Sequence, residues 1–239
     1  MRILILGYGK MGKAIEEVAE ERGHVIAHKI NINNTSALKF IDKGDIDVAF
    51  EFTQPDAAVE NIRFCLNHGI PVVCGTTGWL DHRAEVEQLC SSKNGALIYS
   101  SNFSLGVNLF FALNRALARL MRPYTGYVPH ITEIHHTEKK DQPSGTAITL
   151  ANDLINASEN LRRWVNEPGG QSGDLPIVSI REAGEPGTHV VLYKSVIDEI
   201  EIRHKAFSRT GFALGALLAG EWIIGKRGIF SMKDFMKID

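Results

Sequence analysis

The chain has few of the features that mark nucleic-acid-binding, membrane-spanning or exported proteins. It has no long basic run, and 26 basic against 28 acidic side chains leave a formal net charge of −2. Proteins that bind duplex nucleic acid normally present a basic surface, so we expect no nucleic-acid partner. No apolar run approaches the ~20 residues that span a bilayer, and residues 3–6 are too short for a signal-peptide core. We therefore expect a cytoplasmic protein with no membrane partner.

Cysteine is also scarce. The three cysteines, Cys65, Cys74 and Cys90, are odd in number and lack the close paired spacing of a metal site. We expect them to be reduced and structural, as is usual in a cytoplasmic protein. The catalytic chemistry must then come from other side chains.

The chain has two parts that differ in their pattern of apolar residues. Through the first hundred residues, short apolar runs alternate with amphipathic stretches of helical length, which predicts a Rossmann-like, doubly wound parallel sheet. Beyond this part, a long helix at 105–121 is followed by a strand at 131–136, a helix at 144–157 and strand-like segments from residue 177 to residue 203. This order of helical and strand-like segments predicts an α+β domain with a mixed or antiparallel sheet. The apolar segment 211–225 predicts a buried helix that returns to the first sheet.

The expected domains follow from this reading. Residues 1–103 and 210–239 are predicted to form a dinucleotide-binding domain, and residues 104–209 are predicted to form a second domain.

A glycine motif follows the first predicted strand and opens the first helix. Its sequence is Gly7-Tyr8-Gly9-Lys10-Met11-Gly12. Glycines at this spacing allow a tight turn and a close approach of backbone amides to a pyrophosphate at the helix N-terminus. We therefore predict that these six residues bind a dinucleotide.

The residues around the second predicted strand bear on which nucleotide is used. Enzymes confined to NAD usually place an acidic residue there to hold the ribose 2′-hydroxyl, but residues 28–34 contain no carboxylate. Lys29 would instead favour a 2′-phosphate, although Asn31 or Asn33 could still accept a ribose hydroxyl and a lysine is also typical of a solvated strand end. We expect NADPH to be used at least as well as NADH.

Further candidate cofactor residues follow the later strands of the first domain. The carboxyl ends of parallel strands share one sheet edge, where open α/β sheets bind their ligands. The candidates at this edge are Phe52, Gly75, Thr76, Thr77, Ser101, Asn102 and Phe103.

The most informative segment is residues 133–147, with the sequence EIHHTEKKDQPSGTA. His135, His136 and Lys139 precede a Pro-Ser-Gly-Thr sequence that opens a helix, which places cationic donors beside free backbone amides. Such a site suits a small carboxylate-bearing substrate, and histidine and lysine can also exchange protons. A metal site is disfavoured because adjacent histidines on a strand point to opposite faces and no acidic ligand stands at suitable spacing. Arg209 could bind a second carboxylate.

These motifs together resemble the dihydrodipicolinate reductase family. The family signature E-x-H-H-x-x-K-x-D-x-P-S-G-T-A is satisfied from Glu133 to Ala147, and the glycine motif, Gly75-Thr76-Thr77-Gly78 and Asn102-Phe103-Ser104 accompany it in order. The resemblance implies an NADH- or NADPH-dependent reductase of 4-hydroxy-tetrahydrodipicolinate in the diaminopimelate route to lysine. It also implies that the second domain, residues 104–209, binds the substrate and that its sheet builds a homotetramer.

The resemblance carries residue roles as well. His135 and Lys139 would be catalytic, and the substrate would be bound by His136, Ser144, Gly145, Thr146 and Arg209. No metal is expected. Two alternatives remain at this point: another Rossmann-type reductase of a small dicarboxylate, and a non-enzymatic protein that senses a dinucleotide.

Overall fold

The computed structural model describes residues 1–169 and 171–238. The last residue of the predicted first domain, residue 239, therefore lies outside the described part. Contacts divide the chain into a first unit, Met1–Asn108 with Arg209–Asp239, and a second unit, Leu109–Ser208. The division falls five residues after the expected boundary at 103, because Leu105, in the next helix, still packs against the core of the first unit.

The first unit is a parallel sheet with helices. Its strands are β1 (Arg2–Leu6), β2 (Val25–Ile30), β3 (Val48–Glu51), β4 (Val72–Cys74), β5 (Ala96–Tyr99) and, later in the chain, β11 (Gly228–Phe230). Among the described residues the sheet order is β11-β5-β4-β3-β1-β2, and every pairing is parallel. The Rossmann-like prediction is confirmed, although the short strand β11 was not predicted.

Helices cross between these strands. They are α1 (Lys10–Glu21), α2 (Pro55–Asn67) and α3 (Arg83–Ser92), with α6 (Thr210–Ile223) and α7 (Met232–Met236) from the chain end. Ala213, Ala216 and Leu217 of α6 are fully buried in the same core as Ile3 and Phe50 of the sheet. The predicted return of an apolar helix to the first sheet is thus confirmed.

The second unit contains a mixed sheet. Its strands are β6 (Val128–His135), β7 (Arg163–Val165), β8 (Asp174–Arg181), β9 (Thr188–Lys194) and β10 (Glu199–Lys205), in the order β10-β9-β6-β8-β7. The strand β6 lies parallel to β8 and antiparallel to β9, which confirms the predicted mixed sheet. One face is covered by α4 (Leu105–Met121) and α5 (Gly145–Ala157), whose apolar side chains share a core with Ile131, Ile177 and Val191.

Strand periodicity decides which side chains of β6 face this core. Ile131, Glu133 and His135 alternate with Thr132 and Ile134, and the first three are buried. The buried face of β6 therefore begins with an apolar residue and ends with two ionisable ones, at the end of the strand that leads towards α5.

A close backbone contact in the first unit can be tested. A Cβ at Gly215 of α6 would lie 1.8 Å from the carbonyl oxygen of Phe103, whereas a Cβ at Gly211 of the same helix would come no nearer than 3.9 Å to Ser104 Oγ. We expect Gly215→Ala to lower the free energy of unfolding by roughly 1–3 kcal/mol, because backbone must move to relieve the clash. Urea denaturation measures this change.

Gly211→Ala is the matched control. It has room for the methyl group and gains helix propensity, so we expect stability unchanged or raised by up to about 1 kcal/mol. Equal destabilisation by the two substitutions would show that loss of glycine, and not the contact with Phe103, is responsible.

Candidate active site

The glycine motif has the geometry of a phosphate-binding turn. Gly7 has φ +95°, and a Cβ there would lie 2.0 Å from the carbonyl oxygen of Phe52. A Cβ at Gly12 would lie 2.4 Å from the carbonyl oxygen of Gly7, whereas a Cβ at Gly9, the N-cap of α1, would meet nothing within 4 Å. Gly7 and Gly12 thus close the turn, and Gly9 leaves free space beside the helix N-terminus. These residues fit a dinucleotide pyrophosphate.

Phe52 joins three of the predicted cofactor segments at the carboxyl edge of the sheet. Besides the contact of its carbonyl with Gly7, its ring occupies the space beside Gly75, where a Cβ would lie 2.0 Å from Cε1. Its ring centroid lies 6.0 Å from that of Phe103. The segments that follow β1, β3, β4 and β5 therefore converge at this edge.

Hydrogen bonds fix the segments around Phe52. The amide of Thr53 donates to Thr76 Oγ1 at 2.8 Å, and the amide of Ser104 donates to Asn102 Oδ1 at 2.9 Å. Ser101 is exposed, whereas Phe103 is buried. The structure brings the predicted residues of these segments to one sheet edge, and their contact with a cofactor stays a prediction.

Lys29 is not free. Its ammonium lies 2.8 Å from Glu16 Oε1 and 5.0 Å from the centre of the Tyr8 ring. The residues around β2 contain no acid in sequence, but α1 places Glu16 beside Lys29. The contact of Lys29 with a nucleotide, and the use of NADPH at least as well as NADH, stay predictions.

The second unit holds a buried carboxylate at the centre of the signature segment. Glu133 is fully buried, and both of its carboxylate oxygens accept from the Ser144 amide at 3.1 Å. Its Oε2 lies 3.4 Å from His135 Nδ1 and 3.8 Å from His189 Nε2, and its Oε1 lies 3.5 Å from Arg181 Nη1. One side chain thus contacts a predicted catalytic residue and a predicted substrate-binding residue.

The surroundings of Glu133 set its ionisation. Burial would raise the pKa of this carboxyl, but polar contacts with His135, Ser144 and Ser179 outweigh burial and hold the pKa at about 2. For His189, burial and then the charge of His135 lower the pKa to about 3. Near neutral pH the cluster therefore contains an ionised Glu133 and a neutral His189.

The N-terminus of α5 begins from this cluster. Ser144 is the N-cap of α5, since its Oγ accepts from the Ala147 amide at 3.2 Å, and the same Oγ lies 3.2 Å from His189 Nε2. Gly145 is exposed and has open space where a Cβ would point. The first turn of α5 is therefore fixed from inside by Glu133 and open on its other side, an arrangement that suits a carboxylate.

His136 and Lys139, two further residues of the signature, lie beyond the end of β6. The Nδ1 atom of half-buried His136 is buried without a hydrogen-bond partner among the described residues, and Lys139 forms an ion pair with Asp141 at 2.8 Å. The carbonyl of Lys139 accepts from Arg181 Nε at 3.4 Å, which places its backbone beside the cluster. Arg209, by contrast, belongs to the first unit as the N-cap of α6, so its place in the substrate site stays a prediction.

The sequence analysis did not assign a role in the site to Glu133, Arg181 or His189. Glu133 stands two residues before His135 and so shares its face of the strand, a signal that was available. His189 and Arg181 enter through the register of β9 and β8, where Glu133 faces His189 and His135 faces Arg181. That register could not be predicted from the sequence alone.

The same geometry bears on metal binding. Atoms of Glu133, His135 and His189 that could bind a metal lie within 4.8 Å of one another, so the premise that no acidic ligand stands at suitable spacing was wrong. Glu133 is already held by the Ser144 amide and the Arg181 guanidinium, and the positive charge of Arg181 opposes a cation there. That no metal is needed stays a prediction.

Comparisons with known proteins follow the same division of the chain. The profile of the dihydrodipicolinate reductase N-terminus matches residues 1–103, and that of the C-terminus matches residues 106–236. The chain belongs to the dihydrodipicolinate reductase family. It is 48% identical to the 4-hydroxy-tetrahydrodipicolinate reductase of Christiangramia forsetii over 99% of the chain and 98% of that protein. Identity to the reductase of Thermosipho africanus is 35%, again over 99% and 98%.

A solved structure shares the fold. Dipicolinate-bound dihydrodipicolinate reductase from Paenisporosarcina superposes with a TM-score of 0.72 at 22% identity, covering 97% of each chain. As a member of the reductase family, the chain is an oxidoreductase that converts 4-hydroxy-tetrahydrodipicolinate to tetrahydrodipicolinate with loss of water, in lysine biosynthesis through diaminopimelate. It uses a nicotinamide cofactor, and the alternative of a non-enzymatic sensor is set aside.

The low pKa of Glu133 predicts how stability depends on pH. A carboxyl whose pKa falls from 4.5 to about 2 on folding contributes roughly 3 kcal/mol above pH 4.5, and this contribution is lost as the pH falls towards 2. We expect Glu133→Gln to be less stable by about that amount at pH 7. The difference from the unsubstituted protein should vanish near pH 2, as measured by urea denaturation across this range.

Glu138→Gln is the control, because Glu138 is an exposed carboxylate in the same segment. It should leave the pH dependence of unfolding as it is. If Glu133→Gln and the unsubstituted protein kept a constant stability difference between pH 7 and pH 2, the ionised Glu133 would not be the source of the stabilisation.

Proposed function

We propose that the chain binds NADPH or NADH at the carboxyl edge of its first sheet and reduces the substrate at the buried cluster of its second unit. In this proposal His135 and Lys139 exchange protons with the substrate. The proposed substrate-binding residues are His136, Ser144, Gly145, Thr146 and Arg209. The observation that carries the proposal is that one buried carboxylate, Glu133, contacts both His135 and the N-cap of an open helix.

The proposed cofactor contacts rest on the glycine geometry. Free space at Gly9 beside the N-terminus of α1 supports binding of the pyrophosphate, and the convergence at Phe52 supports contacts from the later segments. When bound, the reduced nicotinamide supplies a hydride. The proposed contacts comprise Gly7, Tyr8, Gly9, Lys10, Met11, Gly12, Lys29, Phe52, Gly75, Thr76, Thr77, Ser101, Asn102 and Phe103.

The substrate site must neutralise two carboxylates. The open amides at Gly145 and Thr146 favour one carboxylate, and the ring of His136 and the ammonium of Lys139 add donors on the same segment. Neutralising these charges makes a ring carbon of the substrate a better hydride acceptor, so binding and activation use the same groups.

His135 and Lys139 have separate environments for proton exchange. His135 Nδ1 lies 3.4 Å from an oxygen of the ionised Glu133, which places a negative charge beside the ring. Lys139 is about one-fifth exposed and pairs with Asp141, whose side chain is 59% exposed. The lysine can leave this largely solvated partner for a substrate at little cost.

Lys139→Ala tests the proton-transfer role. Proton transfer by a positioned side chain contributes roughly 100-fold or more to turnover, so we expect kcat to fall by at least about that factor. The dissociation constants of NADH and NADPH should change little. A coupled assay with freshly generated substrate, followed by nicotinamide absorbance, gives kcat, and NAD(P)H fluorescence gives the binding constants.

Lys140→Ala removes the same charge from the adjacent, exposed position and should keep most of the turnover. Equal losses of kcat in the two variants, or unchanged kcat in Lys139→Ala, would refute the role of Lys139.

The proposal extends to a homotetramer that works in the cytoplasm, where a biosynthetic reductase meets its nicotinamide cofactor. The face of the second sheet opposite α4 and α5 supports the assembly, because its centre carries the apolar side chains of Ile134, Val178, Ile180, Val190 and Leu192. Ile180 is 40% exposed. The other four side chains are half-buried, and an apolar patch that is partly open to solvent supports an association surface. Among the described residues no helix is both long and apolar enough to cross a bilayer.

Leu192→Glu tests this surface. Leu192 pairs with His130 on β6 and Glu201 on β10, so a buried carboxylate there would lie in the middle of the sheet face. We expect dissociation to smaller species in light scattering coupled to size exclusion. Lys93→Glu, at an exposed position of the first unit, adds the same acidic group and should leave the mass unchanged. A tetramer that survives Leu192→Glu would place the interface elsewhere.

A further inference from the structure

Three side chains of the first unit form a cluster beside the glycine motif. The hydroxyl of Tyr8 donates to one carboxylate oxygen of Glu16, and the ammonium of Lys29 lies 2.8 Å from the other. The same ammonium lies 5.0 Å from the centre of the Tyr8 ring. Each member contacts the other two, so the position of Lys29 is tied to both the glycine motif and α1.

The cluster lies where a nucleotide would place the 2′ position of its adenosine ribose. Tyr8 stands between the first two glycines of the motif, and Lys29 is the penultimate residue of β2, the strand adjacent to β1. In folds of this class, a side chain at the end of the second strand contacts the ribose 2′-hydroxyl or a 2′-phosphate. This step rests on the proposed cofactor site.

The charges of the cluster favour a hydroxyl over a phosphate. A 2′-phosphate brings between one and two negative charges near neutral pH, and a cation that is not already compensated favours its binding. Glu16 compensates Lys29, and its side chain is only 17% exposed. A ribose hydroxyl, in contrast, can donate to a carboxylate.

The ionisation of the three groups agrees with this arrangement. The hydrogen bonds from Lys29 and Tyr8 lower the pKa of Glu16, and the hydrogen bond to Glu16 raises the pKa of Tyr8. Near neutral pH Glu16 is therefore ionised, and Tyr8 keeps the proton that it donates.

We propose that Glu16 is a specificity-determining residue, which holds Lys29 and opposes a 2′-phosphate and so balances the use of NADH against NADPH. The carboxylate that NAD-dependent enzymes usually carry at the end of the second strand is supplied here from α1. Glu16 acts at the nucleotide and takes no part in the proton transfers.

Glu16→Gln tests the proposal. The amide can still accept from Tyr8, but it removes the negative charge and releases the charge of Lys29. A unit charge about 5 Å from a phosphate, largely screened by water, changes affinity by roughly tenfold. We expect the ratio of kcat/KM for NADPH to kcat/KM for NADH to rise by about that factor, with the same rise in the ratio of affinities measured by nucleotide fluorescence.

Two further variants make the result specific. Glu17→Gln removes the same charge from the adjacent, exposed position of α1 and should leave the ratio unchanged. Adding Lys29→Ala to Glu16→Gln should cancel most of the gain for NADPH. Lys13, whose ammonium lies 6.0 Å from the Tyr8 ring, is present in every variant and does not affect the comparison.

The outcomes separate the inference from the proposed cofactor site. An unchanged ratio in Glu16→Gln, or an equal change in Glu17→Gln, would overturn the role of Glu16 while nucleotide binding persisted. If the unsubstituted protein bound neither nucleotide, the proposed cofactor site itself would fail and the inference with it. A ratio is used because a general loss of stability affects both nucleotides alike.

Discussion

The first unit depends on close approaches of backbone that leave no room for a Cβ. Gly7 meets the carbonyl of Phe52, Gly75 meets the ring of the same residue, and Gly215 of α6 meets the carbonyl of Phe103. These contacts bring the segments after the parallel strands together at one edge and hold α6 against them. The steric constraint that closes the fold is therefore also the constraint that shapes the proposed cofactor site.

The second unit is under a different constraint, because its candidate site contains an ionised carboxylate that is buried in the protein core. Burial of Glu133 would be unfavourable alone, but the Ser144 amide, the Arg181 guanidinium and His135 compensate it. The compensating groups come from β6, β8 and the start of α5. The carboxylate therefore ties the orientation of His135 to the position of the helix that is proposed to bind substrate.

The sequence predicted most of the fold because its signals were local. Apolar runs and helical spacing identified the strands and helices of the first sheet, and the helix at Leu105–Met121 has the predicted bounds. The short strand β11 was not predicted, because a segment of three residues is too short to show a periodicity. The candidate site was less predictable, since the contacts of Glu133 with His189 and Arg181 depend on strand register, which pairs residues more than 40 positions apart.

Lys29 shows how the same limit affects an argument about specificity. The end of β2 contains no acidic residue in sequence, and a lysine alone at this position would favour NADPH. The helix α1 runs back along the sheet, however, and its second turn carries Glu16 to the same place. The charge at a binding site is the sum over all residues that lie close together in space, including residues that are far apart in sequence. An expectation of nucleotide preference that considers one strand therefore leaves out the charge that the neighbouring helix supplies.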